Sequence, residues 1–155
     1  GMVFFAYTDV YLPSAMRDMY NIMQLRMPEN VELILDPCPD IMIRTDNNRM
    51  VQILSNLLTN AIKHTSCGSI RFGYTLEGDH VHFYVSDTGK GIPEKELDHI
   101  FGRFVQLKGA YNGIGLGLAI SKGLVNKMGG EISVSSKVGE GSTFRFTLPL
   151  ANILS

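Results

Sequence analysis

The sequence predicts an α+β fold: a two-layer α/β sandwich in which about three helices cover one face of a single mixed, mostly antiparallel sheet. Short runs of alternating apolar residues occur in hairpin-like pairs, and longer segments between them repeat apolar residues at helical spacing. The chain has 155 residues, of which 45% are hydrophobic, so it can form one domain with its own core. We therefore expect residues 1–155 to form a single domain.

The N-terminal part is predicted to contain a strand, a helix and a hairpin. The run VFFAYTDV is typical of a first strand, and methionines recur at helical spacing between Pro13 and Pro28. We interpret this methionine stripe as core packing. The apolar runs VELIL and IMIRT flank the turn-rich segment DPCPD, which favours a hairpin between them.

A long helix is predicted to follow Asp46, because Asp is a good N-cap. Its apolar stripe contains Met50, Ile53, Leu54, Leu57, Leu58 and Ala61. Asn56 and Asn60 are spaced i, i+4 and Lys63 follows three residues later, so these polar residues share a second stripe. Asn is a mediocre helix former, because its amide competes for backbone groups. On its own this stripe favours a solvated helix face, with a binding function as the alternative.

The C-terminal half is predicted to alternate strands and helices. The runs SIRFGYTL and HVHFYVSD read as a hairpin across EGD, followed by a short helix in EKELDHIF. A glycine-containing loop leads to a helix from about Leu116 to Met128, and GEISVSS and STFRFTLPL are the last strands. His80 and His82 share the predicted solvent face of their strand, but no third metal ligand is close in sequence.

Composition excludes several classes of function. The net charge is −1 and the charges are interspersed, so neither a basic nucleic-acid surface nor a polybasic membrane patch is indicated. Apolar runs are too short to cross a bilayer, and no signal-peptide pattern is visible. Cys38 and Cys67 lack metal-ligand spacing and are expected to be free thiols of a cytosolic protein. Gly1 before Met2 looks like a residue left by tag cleavage, so we expect a fragment of a longer protein.

The segment SDTGKGIP, residues 86–93, directly follows an apolar strand. Asp87 therefore stands at a strand end, and Gly89 and Gly91 open the backbone after it. Glycine is needed where φ is positive or where a ligand lies against the main chain. An ordinary Asp-Thr-Gly turn is the alternative interpretation.

A second glycine-rich segment lies where a loop becomes a helix. Gly113, Gly115 and Gly117 occur in NGIGLGL, although each helical glycine costs about 1 kcal/mol relative to alanine. A helix N-terminus whose free N–H groups bind phosphate would explain this cost. The pattern alone is weak evidence, and it does not follow the first strand as a dinucleotide-binding motif would.

Taken in order, these motifs resemble a known family. An Asn-rich helix is followed by Asp-x-Gly-x-Gly, then FGRF, then Gly-x-Gly-x-Gly, then GEGSTF. This order is similar to that in the ATP-binding catalytic domain of bacterial two-component sensor histidine kinases, within the wider family of gyrase, Hsp90 and MutL. The resemblance covers residues 46–150. It implies the Bergerat ATP-binding fold, with ATP and Mg²⁺ as ligands.

The resemblance implies roles for the polar helix stripe. Asn60 would be the Mg²⁺ ligand, since a side-chain carbonyl suits this ion. Asn56 would orient water or phosphate, and Lys63 would supply positive charge against the triphosphate. These two are the implied catalytic residues. His64 occupies a position where relatives often place an aromatic ring near the nucleotide.

The remaining implied contacts lie in the glycine boxes and the lid. Asp87 would accept a hydrogen bond from the adenine amine, because an ionised carboxylate only accepts. The other implied ATP-binding residues are Gly89, Gly91 and Ile92 beside the base, Thr143 supporting it through water, Gly113, Gly115, Leu116, Gly117 and Leu118 around the phosphates, and Arg103 and Lys108 in the lid.

The resemblance also separates kinase from hydrolase. Hydrolytic relatives carry a Glu at the position of Asn56, and anti-sigma-factor serine kinases tend to carry it too. An amide cannot take a proton from water. Asn56 and the phrase IFGRF therefore favour the histidine-kinase branch, in which the γ-phosphoryl group passes to a histidine. An anti-sigma-type serine kinase, an ATP-hydrolysing switch and a non-catalytic nucleotide sensor are the alternatives.

Partners follow from the same resemblance. None of the four histidines, His64, His80, His82 and His99, stands in a phosphoacceptor context. The expected partners are an upstream dimerisation and phosphoacceptor domain of the same protein and a downstream response-regulator receiver domain, with no nucleic acid. We expect a cytoplasmic domain that is nearly inactive alone, with anchoring of the full-length protein in the inner membrane left open.

Overall fold

A computed structural model describes residues 4–102 and 115–151, with only the backbone described for Gly115 and Leu116. The elements in chain order are β1 (Thr8–Tyr11), α1 (Leu12–Gln24), β2 (Val31–Leu35), β3 (Met42–Thr45), α2 (Asn47–His64), β4 (Gly68–Glu77), β5 (His80–Asp87), α3 (Glu94–Leu97), α4 (Gly115–Lys127), β6 (Ile132–Lys137) and β7 (Gly141–Pro149).

The main sheet has five strands in the order β2-β4-β5-β7-β6. β2 and β4 are parallel, and the other neighbours are antiparallel. Its apolar face joins α1, α2 and α4 in one buried cluster, within which the Phe83 and Phe146 rings stack with centroids 4.6 Å apart. The opposite face is polar and carries Arg71, His82 and Arg145 among others. The predicted two-layer α+β sandwich is therefore confirmed.

The predicted hairpin between VELIL and IMIRT is wrong. β2 pairs with β4, whereas β3 pairs with β1 in a separate two-stranded sheet, so the single predicted sheet is also wrong. The connecting segment runs on along the edge of β4. The Asp36 N–H donates to the Phe72 carbonyl (2.9 Å), and the Tyr74 N–H donates to Cys38 Sγ (3.4 Å). These bonds tie the segment that joins β2 and β3 to the edge of β4, so it does not form a hairpin turn.

Several predicted boundaries shift. β1 contains only the last part of VFFAYTDV, and the helix in EKELDHIF is the four-residue α3. The methionine stripe of α1 is buried as predicted at Met16, Met19 and Met23. The β4–β5 hairpin is confirmed, with Gly78 at φ 60° in its turn. No helix among the described residues is long and apolar enough to cross a membrane.

The predicted cap of α2 is confirmed. Asp46 Oδ1 accepts a hydrogen bond from the Arg49 N–H at 3.0 Å, and Asp46 Oδ2 accepts one from the Ala6 N–H at 2.8 Å. The same carboxylate thus caps the helix and holds the N-terminal segment. The predicted apolar stripe of α2 is buried at every position, so the helix is anchored by its core face.

Candidate nucleotide-binding site

Asp87 is the last residue of β5, in which every second side chain is buried. It continues the face of Val81, Phe83 and Val85, and only 6% of its surface is exposed. Burial raises the pKa of its carboxyl, and backbone hydrogen bonds from Gly89 and Ser142 act in the opposite direction. The Gly89 N–H lies 2.9 Å from Asp87 Oδ1. The carboxylate is therefore held in one orientation as a hydrogen-bond acceptor at the sheet end.

The two glycines after Asp87 are required by the packing of the chain itself. A Cβ on Gly89 would lie 2.1 Å from the His64 carbonyl oxygen. Gly91 has φ 76°, and a Cβ there would lie 2.2 Å from the Lys137 carbonyl oxygen. The Lys90 N–H donates to the same His64 carbonyl at 3.3 Å. The turn is thus seated against the end of α2, and contact between these glycines and a base stays a prediction.

Asn60 is 5% exposed, and its Oδ1 has no hydrogen-bond partner among the described residues. Leaving a buried acceptor without a donor costs about 1–3 kcal/mol. The atom is a neutral carbonyl oxygen, which is a suitable Mg²⁺ ligand. Asn60 is therefore chemically suited to be the Mg²⁺ ligand that the resemblance implies.

An unpartnered atom alone does not identify a binding site. Thr45 Oγ1 and Thr65 Oγ1 are also buried without a partner among the described residues. Thr45 lies before the start of α2, away from the stripe of Asn60 and Lys63. Asn60 differs because it shares its helix face with an exposed cation and follows Asn56 by one turn.

Asn56 faces α4. Its Nδ2 donates to Ser121 Oγ at 3.1 Å and to the Gly117 carbonyl at 3.4 Å. The structure therefore places both amide hydrogens against protein atoms. The predicted role of Asn56 in orienting water or phosphate stays a prediction, and it would have to use the amide oxygen.

His64 lies between the helix stripe and the glycine turn. Burial, followed by the charges of Lys90 and Lys63, lowers its pKa to about 4, so the imidazole is neutral at pH 7. Lys90 is thus a nearby cation that our sequence reasoning did not assign. The signal was present, since Lys90 stands between the two glycines of DTGKGI.

Thr143 lies on the face of the sheet opposite to Asp87, and its predicted support of the base through water stays a prediction. Thr143 pairs with Ser86 on the polar face of the sheet, and their hydroxyl oxygens lie 2.8 Å apart. Ser142 instead pairs with Asp87, on the helix-covered face, and its Oγ lies 2.7 Å from Ser136 Oγ. Strand alternation from Phe144 would have identified Ser142, because neighbouring residues point to opposite faces.

The remaining predicted site residues differ in how much of their surroundings the structure describes. Ile92 is buried, and its N–H donates to Ser136 Oγ at 2.8 Å. Leu118 is buried in the core, so only its backbone is available to phosphate. Gly115 and Leu116 begin α4. Three predicted residues lie outside the described residues: Arg103, Lys108 and Gly113.

Comparison with known proteins agrees with this geometry. Residues 45–152 match the family model described as histidine kinase-, DNA gyrase B- and HSP90-like ATPase. The chain is 42% identical over 147 residues to the aerobic respiration control sensor protein ArcB of Escherichia coli, covering 87% of this chain and 18% of ArcB. It is 40% identical over 155 residues to the sensor histidine kinase AruS of Pseudomonas aeruginosa, covering 92% of this chain and 16% of AruS.

A solved structure extends the comparison to the fold. Full-length ShkA, crystallised in complex with AMPPNP, superposes with a TM-score of 0.85 at 32% identity, covering 100% of this chain and 33% of ShkA. The chain spans less than a fifth of each of the two curated relatives named above. The chain belongs to the histidine kinase-, DNA gyrase B- and HSP90-like ATPase family, and within it to the ATP-binding catalytic domains of sensor histidine kinases.

Proposed function

We propose that this domain binds Mg-ATP and transfers the γ-phosphoryl group to a histidine on a separate phosphoacceptor domain. The observation that carries the proposal is the contact between the two halves of the site. The turn after Asp87 is seated on the last carbonyl of the helix that carries Asn60 and Lys63. One nucleotide can therefore be held by its base at the turn and by its phosphates along the helix.

Adenine recognition is proposed for Asp87. The exocyclic amine of adenine donates hydrogen bonds, whereas guanine presents an oxygen at the equivalent position. An acceptor-only carboxylate therefore selects adenine. Ser142 is proposed to support the base together with Asp87, because it pairs directly with Asp87 on the same face.

Phosphate binding is proposed for the helix stripe. Asn60 would hold Mg²⁺, which supplies charge that neutralises the phosphate oxygens when it is bound. Lys63 and Lys90 both lie near enough to His64 to lower its pKa, so they place two ammonium groups at this end of the site. Catalysis would come mainly from positioning and electrostatics.

Transfer to histidine, rather than hydrolysis, is proposed because of Asn56. Its amide hydrogens are directed to α4, and an amide cannot act as the base that activates water. The partners proposed are the phosphoacceptor domain of the same protein and a receiver domain, on the cytoplasmic side where ATP is available.

A reconstitution assay tests the proposal. The domain is mixed with the helical phosphoacceptor hairpin of its own protein and radiolabelled ATP. We expect label on the hairpin that is lost in acid and retained in base, because a phosphorylated imidazole hydrolyses once it is protonated. Brisk release of phosphate by the domain alone would instead favour a hydrolase, and an acid-stable label on a serine of a small partner would favour the anti-sigma type.

Substitution of Asp87 tests the binding mode separately. Asp87→Asn presents an NH₂ group to the adenine amine and removes a charge-assisted hydrogen bond, which is worth about 1.5–3 kcal/mol. We expect roughly a 10- to 100-fold loss of ATP affinity by titration calorimetry. Unchanged affinity in a folded variant would remove Asp87 from the site.

A further inference from the structure

A buried polar contact joins α2 to α4. Ser121 is fully buried, with 0% of its surface exposed, and its hydroxyl accepts a hydrogen bond from Asn56 Nδ2 at 3.1 Å. The same nitrogen lies 3.4 Å from the carbonyl oxygen of Gly117. The Gly117 carbonyl points along α4 towards the backbone N–H of Ser121, four residues later, so the two acceptors are neighbours on one side of α4.

The geometry of this contact restrains α4 in two ways. A hydrogen bond to the Ser121 hydroxyl alone would hold only a rotatable side chain, whereas the second bond, to the Gly117 carbonyl, also holds the backbone of α4. A neutral amide can make both bonds because its NH₂ group carries two hydrogens. A carboxylate of the same shape could not donate to the Gly117 carbonyl and could only accept from the Ser121 hydroxyl.

The contact lies at the phosphate end of the proposed site. Asn56 lies one turn before Asn60 on α2, and Gly117 lies in the first turn of α4. The contact therefore sets the distance between the Asn60 carbonyl and the first turn of α4. Asp87 belongs to β5 and is held by Gly89 and Ser142, so the adenine end does not depend on it.

We propose that Asn56 and Ser121 are a pair of positioning residues that hold the first turn of α4 against α2, so that binding of the nucleotide phosphates depends on their hydrogen bond. Asn56 then acts through Ser121 and Gly117. The inference rests on the proposed function, because it concerns the phosphate end of the same nucleotide. It adds Ser121, which no sequence motif indicated, and assigns a donor role to Asn56.

The test compares ATP with AMP. Affinities for both are measured in Mg²⁺ by titration calorimetry for wild type, Asn56→Ala, Ser121→Ala and the double variant. One lost neutral hydrogen bond corresponds to roughly a 3- to 10-fold loss of affinity. We expect this loss for ATP and little change for AMP. The double variant should bind ATP no more weakly than Asn56→Ala.

Ser55→Ala is the matched control. Ser55 precedes Asn56 on α2 and is half-buried, but its hydroxyl donates to the Gln52 carbonyl of the same helix at 3.2 Å. It should leave the ratio of ATP to AMP affinities unchanged. Asn56→Leu keeps a side chain of similar size without charge and removes both donors, so it provides the same comparison if Ser121→Ala does not fold.

The outcomes separate the two proposals. Wild-type protein that binds neither ATP nor AMP would overturn the proposed function. Wild-type protein that binds both, with an unchanged ATP-to-AMP ratio in Ser121→Ala or in Asn56→Leu, would overturn the positioning pair alone. Additive losses in the double variant would also overturn it, because they would mean that Asn56 acts on the ligand independently of Ser121.

Discussion

The two halves of α2 bury different chemistry. In the first half the buried side chains are Met50, Ile53 and Leu54, and Asp46 caps the helix through the Arg49 N–H while also holding the Ala6 N–H. In the second half Asn60 is buried beside Leu57, Leu58 and Ala61, and its Oδ1 has no partner among the described residues. A protein gains nothing in stability from such an atom. The difference supports the proposal that the second half binds the ligand, while the first half contributes only to the fold.

The largest expected effect is a loss of stability from a substitution in the first half of α2. Ile53→Ala removes a fully buried side chain and should lower the free energy of unfolding by about 2–5 kcal/mol, since it leaves a cavity. Urea denaturation measures the loss. At low temperature the folded variant should bind ATP with wild-type affinity, and a selective loss of binding would contradict the division between the halves.

A substitution in the second half of α2 should instead remove the Mg²⁺ dependence of ATP binding. Asn60→Ala should bring the ratio of ATP affinities with and without Mg²⁺ close to one. Loss of a direct ligand should cost at least the roughly 10- to 100-fold in metal affinity that outer-shell partners cost. Stability should not fall as it does in Ile53→Ala. If the variant keeps the wild-type Mg²⁺ ratio in calorimetry, Asn60 is not the ligand.

A smaller effect is expected at the helix cap. Asp46→Ala should lower stability by about 0.5–2 kcal/mol, because it removes an N-cap and the acceptor for the Ala6 N–H. Asp46→Asn keeps an acceptor oxygen and should lose less. Urea denaturation and ATP titration of both variants give the comparison. Weaker ATP binding with unchanged stability would contradict a purely structural role.

The last prediction is a pH dependence of stability that comes from the second half. His64 has a pKa of about 4 in the folded protein and about 6.5 when unfolded. The unfolded chain therefore binds a proton first, and stability should fall as pH drops from about 6.5 towards 5. His64→Phe should flatten this part of the curve relative to wild type. An equal slope in both proteins would show that His64 is not the cause.

Periodicity in the sequence was sufficient to predict most of the helices and strands. The order of the motifs could be read from the sequence directly. The apolar stripe of α2, the Asp46 cap and the buried strand ending at Asp87 depend on residues within a few positions of one another. Side-chain direction in such segments follows from the helical or strand repeat alone. The same rule would have placed Ser142, rather than Thr143, on the face of Asp87.

Only the tertiary structure decided which segments meet. VELIL pairs with β4 rather than with its neighbour IMIRT. The pairing of a strand depends on which strand edge is available in the folded sheet, and the turn residues beside it in sequence do not determine it. Asn56 contacts Ser121, 65 residues away, and Gly89 is required by the carbonyl of His64. Each of these contacts joins segments whose local patterns are independent of each other. Local periodicity indicates which face of a helix or strand is buried. Which residues contact that face depends on the packing of the whole chain.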